Sequence, residues 1–263
     1  MKNYTPEALI ITAGGGMSAE SGLSPLWEKE NLHSFFQPAK NKNIDFTELG
    51  QPKWFLTDPG FAWGFYGKRA LVYSDAKPHD GYHNLLNWGK SLPLGCSVIT
   101  SNVDGLFKKT DDTINLEEVH GSAFYVQCTR NCHKSIWKLN LSEIELLKTG
   151  EASKYPRCSK CGHAARPNIL MFNDHNWNPE RANQQRKKLN NWISSLKGKN
   201  VLILEIGAGT RVPTIKLTSL GLQNKLKAKM IIVNPIKEVA PSTESFHIQS
   251  NTTDGINELL SIF

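Results

Sequence analysis

The sequence predicts an α/β fold: a doubly wound parallel sheet that carries a helical insertion and a small cysteine-bearing lobe. Three observations lead there. Short apolar runs recur along the 263 residues, and each ends in a glycine or polar loop. Between residues 23 and 76 that rhythm gives way to a mixed, aromatic-rich segment. Between residues 121 and 167 lie four cysteines in two close pairs. An open sheet of this kind binds ligands beyond the carboxyl ends of its strands.

The first apolar run, residues 8–13, is bounded by polar residues and then by Gly14, Gly15 and Gly16, as expected of a buried parallel strand and its turn. A short helix is expected from about Ser18 to Gly22. Residues 24–52 mix polarities without a clean period and predict a long functional loop with helical pieces. Residues 54–73 place Phe61, Trp63, Phe65 and Tyr66 at helical spacings, which predicts one helix with an aromatic core face. Further buried strands are expected at 97–100, 201–206 and 230–233. Asn178-Pro179 reads as the cap and first turn of a helix to about Leu196, and a last helix is expected over 254–262. The expected division is a Rossmann-like domain from 1–22, 77–120 and 168–263, a helical insertion over 23–76, and a cysteine-bearing module over 121–167.

Bulk properties narrow the function classes. Hydrophobic residues make up 39% of the chain, enough for a real core, and no apolar run is long enough to cross a bilayer. No signal-like stretch precedes the first strand, so a cytoplasmic location is expected. The net charge is +7, but the lysines are scattered and no base-reading motif accompanies them. Specific nucleic-acid binding is therefore not expected.

The cysteines are the strongest local signal. Cys128 and Cys132 lie in CTRNC, and Cys158 and Cys161 in CSKC. Two such pairs can close a tetrahedral four-sulfur zinc site, and a reducing compartment disfavours the disulfide alternative. A four-cysteine site leaves no open ligand position, so the zinc is expected to hold a small ribbon-like lobe together rather than do chemistry. Cys96, in an apolar run, reads as plain core.

Five segments could carry chemistry, and each is weak alone. AGGGMSAESG, residues 13–22, could cradle a pyrophosphate or be a simple tight turn. TSNVDG, residues 100–105, could aim Asn102 and Asp104 into the crevice or be a capped turn. His120 in VHG could act as a general base or be a structural histidine. EIGAGTRVPT and IIVNP each follow a strand with small or polar residues suited to phosphate or ribose.

Taken together and in order, these segments resemble the sirtuin family of NAD-dependent protein deacylases. The resemblance runs over nearly the whole chain: the glycine loop with Ser18 and Ser21-Gly22, WGFYGKR, residues 78–83, TSNVDG, VHG, four cysteines, ARPNILMF, GAGT and VNP. It implies NAD and zinc as cofactors and an acyl-lysine protein or peptide as substrate. It implies that Gly14, Gly15, Gly16 and Ser18, with Ser21 on the same loop, hold the NAD diphosphate. Ser101, Asn102 and Asp104 would line the nicotinamide pocket. His120, with Asn102 and Asp104, would be catalytic, the histidine taking a proton from a ribose hydroxyl. Gly207, Gly209 and Thr210 would face the adenosine side, with Asn234 on its ribose. Ile169, Leu170, Met171 and Phe172 would be the strand that pairs with substrate. The implied products are deacylated lysine, nicotinamide and O-acyl-ADP-ribose.

The chain departs from the family pattern at Gly15, where alanine is usual, at Ser101, where glutamine is common, and at two longer stretches. The family's Pro-Asp-Phe-Arg segment becomes Ser24, Pro25, Leu26 and Trp27. A one-residue slip would instead keep Pro25 at the proline and Trp27 as an aromatic lid. Either register loses the acid and the guanidinium. Asn173 and Asp174 stand where the family has glycine and glutamate. The altered loop leaves open a mono-ADP-ribosyltransferase, an NAD glycohydrolase, or a non-enzymatic NAD- or peptide-binding module.

Overall fold

The computed structural model describes residues 4–23, 25–236 and 243–263. Strand β1 (Ala8–Ala13) is buried at every position, which is why its sequence is apolar without alternation. It leads into a single helical turn, α1 (Gly16–Ala19), shorter than the sequence suggests and ending before Ser21. The next segment holds short helices α2 (Lys29–Phe35), α3 (Gln37–Asn41) and α4 (Phe46–Leu49). The expected helix over 54–73 is two, α5 (Trp54–Thr57) and α6 (Pro59–Asp75). The break lies at Asp58, which is non-helical before proline (φ −148°, ψ 75°) and accepts a 3.1 Å hydrogen bond from the Phe61 amide as the cap of α6.

The sheet resumes through α7 (Asp80–Ser91), β2 (Cys96–Thr100), α8 (Leu106–Thr110) and β3 (Asn115–Glu118). The inserted lobe contains β4 (Gly121–Cys128), β5 (Ile136–Lys138), β6 (Glu145–Leu146), β7 (Ala152–Lys154) and β8 (Ala165–Ile169). The chain closes with α9 (Glu180–Ser195), β9 (Val201–Ile206), α10 (Thr214–Leu226), β10 (Lys229–Val233), β11 (Ser245–Ile248) and α11 (Thr252–Ile262). Asn178 caps α9 with its Oδ1, accepting from the Glu180 amide at 3.1 Å. Asn251 caps α11, accepting from the Asp254 amide at 2.9 Å, so that helix starts two residues before its expected onset.

The main sheet has six parallel strands in the order β11-β10-β9-β1-β2-β3. The strand order reverses between β1 and β9, the doubly wound arrangement in which a crevice opens at the carboxyl ends of those two strands. One face of the sheet packs against α7 and α11 through Leu9, Ile11, Leu85 and Ile256. The other packs against α9 and α10 through Ile10, Ile203, Leu189 and Ile215.

The helical insertion and the cysteine-bearing lobe share a third core. Phe36, Phe61, Trp63 and Phe65 from the helices pack with Val126, Ala152, Ala165 and Ile169 from the lobe. The Trp63 indole N–H donates to the Ala165 carbonyl at 2.7 Å, joining α6 directly to β8. The lobe's three-stranded antiparallel sheet runs β5-β4-β8 and leaves β8 at an edge.

Candidate active site

The two loops at the switch point touch so closely that only glycine fits. A Cβ on Gly14 would lie 2.6 Å from the Gly207 carbonyl oxygen, and one on Gly16 would lie 2.7 Å from the Gly207 Cα. Gly207 itself has φ +57°, and its own Cβ would meet Gly16 Cα at 2.6 Å. Gly14 and Gly16 therefore serve the packing of one loop against the other. Gly15 and Gly209 have nothing within 4 Å of a built Cβ, so their backbones are the ones open to a ligand.

Below this turn three polar residues meet. Ser18 Oγ donates to Asp104 Oδ2 at 2.6 Å and accepts from Asn102 Nδ2 at 2.8 Å. The same Asn102 amide nitrogen donates to the Gly14 carbonyl at 2.9 Å. Asp104 Oδ1 accepts from the Leu106 amide at 2.9 Å. Burial pushes the Asp104 carboxyl above its ordinary range, and the bonds from Ser18 and Leu106 work against that rise. Residues from the β1 loop and the β2 loop, far apart in sequence, thus form one network.

His120 follows β3, where the Val119 amide donates to the Thr100 carbonyl at 2.9 Å. Its Nε2 lies 3.3 Å from Thr214 Oγ1 at the start of α10. Burial holds the imidazole below its ordinary pKa, a hydrogen bond with the Ser101 backbone opposing, so the neutral form is favoured. A cavity of about 430 Å³ opens beside it, lined by Val119, Leu170, Trp177, Leu189 and Thr214 among others. The Trp177 indole nitrogen is buried there without a hydrogen-bond partner.

The expected substrate strand is shorter than its motif. β8 ends at Ile169, and Leu170, Met171 and Phe172 continue beyond it. The turn is imposed by a buried ion pair: Arg166 donates to Asp174 Oδ2 at 2.5 Å, and the same oxygen accepts from the Met171 amide at 3.3 Å. Asn173 takes φ +53° to complete it. Leu170 still donates its amide to the His120 carbonyl at 2.9 Å, and Phe172 donates to the Gly50 carbonyl at 3.0 Å. Leu170 is 39% exposed, while Met171 is buried.

Trp27 packs on this segment, its ring 5.8 Å from that of Phe172 and 4.5 Å from that of Phe46. The aromatic of the altered loop is therefore Trp27, while Leu26 packs on the helical core. Ser24 lies outside the described residues.

The remaining expected residues fall in different settings. Ser21 Oγ accepts from the His79 amide at 3.2 Å, which fastens the glycine loop to the start of α7. Ser101 donates its amide to the Ala13 carbonyl at 3.1 Å. Asn234 is buried and engaged at both ends, donating to the Ala208 carbonyl at 3.0 Å and accepting from the Ile236 amide at 3.1 Å, so it braces the loop after β9. Thr210 is exposed on that loop.

Three residues escaped the sequence reading. Thr214 meets His120. Arg69 is enclosed by the rings of Phe46, Phe65, Tyr66 and Tyr73, with its Nε donating to Tyr73 at 2.8 Å. Arg211 reaches the altered loop. The WGFYGKR motif held a hint of Arg69, a cation within an aromatic helix; the other two contacts have no local signature.

In the lobe the four cysteine sulfurs all lie within 4.8 Å of one another. Cys128 and Cys161 are 3.6 Å apart, as are Cys132 and Cys158. That is far beyond the roughly 2 Å of a disulfide. It matches the roughly 3.8 Å between sulfurs on a tetrahedral zinc with bonds of about 2.3 Å. His133 Nε2 lies 3.2 Å from Cys158 Sγ, placed to donate to a thiolate. The donor set and its spacing fit zinc. Cys96, in contrast, is half-buried, and burial pushes its thiol up to about 11, as suits an inert core residue.

Comparison with known proteins agrees with this architecture. The chain is 32% identical over 165 residues to an NAD-dependent protein deacylase of Pyrococcus abyssi, covering 63% of this chain and 60% of that protein. The chain thus spans about 60% of the length of the curated relative it matches. It is 24% identical over 251 residues to an NAD-dependent protein deacylase of Aquifex aeolicus, covering 95% of this chain and 93% of the other. A crystal structure of a Sir2 homologue–NAD complex superposes with a TM-score of 0.68 at 21% identity, covering 97% of this chain and 88% of that one. The model of the Sir2 family matches residues 14–212, and with the glycine crevice, the buried serine–asparagine–aspartate network and the four-sulfur lobe this places the chain in the Sir2 family.

Proposed function

We propose that this chain is an NAD-dependent protein-lysine deacylase, releasing nicotinamide and O-acyl-ADP-ribose. The observation that carries the reading is the double attachment of His120. Its imidazole Nε2 lies 3.3 Å from Thr214 Oγ1 beyond the loop after β9, on the crevice side, and its carbonyl accepts from Leu170 on the substrate side. One residue thereby ties the cofactor network to the peptide segment. The relatives named as deacylases and the Sir2 homologue–NAD complex support the same assignment.

Bound NAD supplies an ADP-ribosyl group whose bond to nicotinamide breaks with oxocarbenium character. The open backbones of Gly15 and Gly209 face the phosphates and the adenosine side. Ser18 and Asn102 hold Asp104 in place to accept from the carboxamide. The neutral His120 imidazole takes a proton from a ribose hydroxyl as the acyl group moves. Trp27 covers the reacting face and excludes water, where Leu26 alone would offer no flat ring. Leu170 and the edge of β8 take the acyl-lysine peptide as an added strand. Zinc in the four-cysteine site holds the lobe and stays outside the chemistry. Among the described residues no helix is long and apolar enough to cross a membrane. Four thiols spaced to hold a metal rather than to form disulfides support a cytoplasmic setting.

The test is mass spectrometry of products from pure protein and NAD, with and without a panel of acyl-lysine peptides. O-acyl-ADP-ribose formed only with peptide establishes the deacylase. Free ADP-ribose, or ADP-ribose on protein, assigns a glycohydrolase or transferase instead. No nicotinamide release under any condition leaves a binding module.

A further inference from the structure

We infer that Arg211 is the side-chain cation that meets the NAD diphosphate in this chain, replacing from the opposite wall of the crevice the guanidinium that the altered loop lacks. The inference rests on the NAD reading above. Its basis is a count of charge around the crevice. Among the described residues, the loops over 14–28, 101–105, 207–214 and 234–236 carry one lysine or arginine side chain, Arg211. The same loops carry Glu20, Glu28 and Asp104. Arg69 on α6 is a further cation beside the crevice, its charge opposing the rise of the Asp104 pKa, but its guanidinium lies among aromatic rings and its Nε is given to Tyr73. Among the described residues of these loops, a diphosphate would otherwise meet acids, neutral polar side chains and backbone amides.

The present contacts of Arg211 show that it is available. It donates to the Trp27 carbonyl at 3.3 Å and lies 3.4 Å from Glu28 Oε1. The two side chains are 59% and 62% exposed, so the pair is loose and contributes little. A planar guanidinium has five donors, enough to keep the Trp27 carbonyl while turning toward a phosphate. Arg211 also sits one residue beyond Thr210, on the loop whose Gly207 packs against Gly16. Held by both the phosphate and Trp27, it would draw the loop with the aromatic lid toward the loop after β9. Glu28 then becomes a competitor: it holds the cation when NAD is absent and opposes the phosphate when NAD is present.

The test is calorimetric binding of NAD, ADP-ribose and adenosine to the full chain at two salt concentrations. Arg211→Gln should weaken NAD and ADP-ribose by about tenfold or more, as loss of a charge-assisted bond does, and should flatten their salt dependence. Adenosine, which lacks the phosphates, should bind within twofold of wild type. Glu28→Gln should tighten NAD by about twofold, in the range of an exposed pair. A merely structural bridge between the loops predicts the opposite sign for Glu28→Gln, and weaker NAD binding there overturns the inference. So does Arg211→Gln with NAD affinity within twofold, or with adenosine lost in proportion. If the wild-type chain binds neither NAD nor ADP-ribose, the deacylase reading falls and the Arg211 assignment with it. Wild-type binding without an Arg211 effect removes the assignment alone.

Discussion

As the proposed base, His120 can act only while neutral, and the fold favours that form. Burial lowers its pKa from an unperturbed value of about 6.5. The acid limb of the pH–rate profile should therefore have its midpoint below that value, which steady-state rates between pH 5 and 8 will show. The sign for stability follows. Between the depressed folded value and the unfolded one, the unfolded chain holds more protons, so His120 costs stability as pH falls through that window. His120→Ala should abolish NAD-dependent turnover and lessen that acid sensitivity; unchanged turnover would remove it as the base. Gly207 is a second single-residue test. Its φ of +57° and a Cβ 2.6 Å from Gly16 Cα leave no room for alanine. Gly207→Ala should cost about 1–3 kcal/mol in urea unfolding and weaken NAD binding as the two loops part.

At the scale of elements, the segment after β8 is held by Arg166 and Asp174, both fully buried. Removing one member of such a pair leaves a buried charge and costs about 3–5 kcal/mol. Asp174→Asn should approach that loss in chemical denaturation and raise the peptide KM more than the NAD KM, because Met171 loses its anchor while the crevice keeps its own. An equal rise in both would show a general loosening instead. Elements also show what the sequence could reveal. β1, β9 and β10 are buried on both faces, so their apolar runs announce them. β3 reads NLEE and β11 reads SFHI. Both are four-residue strands at the sheet edges, and β3 buries two glutamates that only Arg181 and Arg186 of the distant α9 make tolerable, so neither was visible in the sequence. Ser18, Asn102 and Asp104 stood out because each follows a legible strand, and His120 only through its place in the ordered set of motifs. Arg211 with Trp27, 184 residues away, and Thr214 with His120, 94 residues away, are created only by folding.

For the whole molecule, the decisive fact is that the metal site and the aromatic helices stand on one core. The four sulfurs sit at the tip of a lobe whose strands β4 and β8 carry Val126, Ala165 and Ile169 into contact with Trp63 and its neighbours on α6. The two faces of the parallel sheet have separate cores. Loss of zinc should therefore not stay local. Without the ion, the sulfurs about 3.6 Å apart in pairs take up protons and lose their common ligand, and the free energy that structural zinc gives to folding, on the order of 10 kcal/mol, is withdrawn from the lobe. The Trp63–Ala165 bond and the shared packing then pass the loss to α6 and to Trp27's partner Phe46. Amide hydrogen exchange after chelation, with metal loss verified by elemental analysis, should show β4, β8 and α6 losing protection together while β1, β9 and β10 keep theirs. The melting curve should split into two transitions, and peptide binding should fail before NAD binding does. Protection lost only near residues 128–161, or a melting temperature that does not move, would mean that the helical module holds the lobe without its metal.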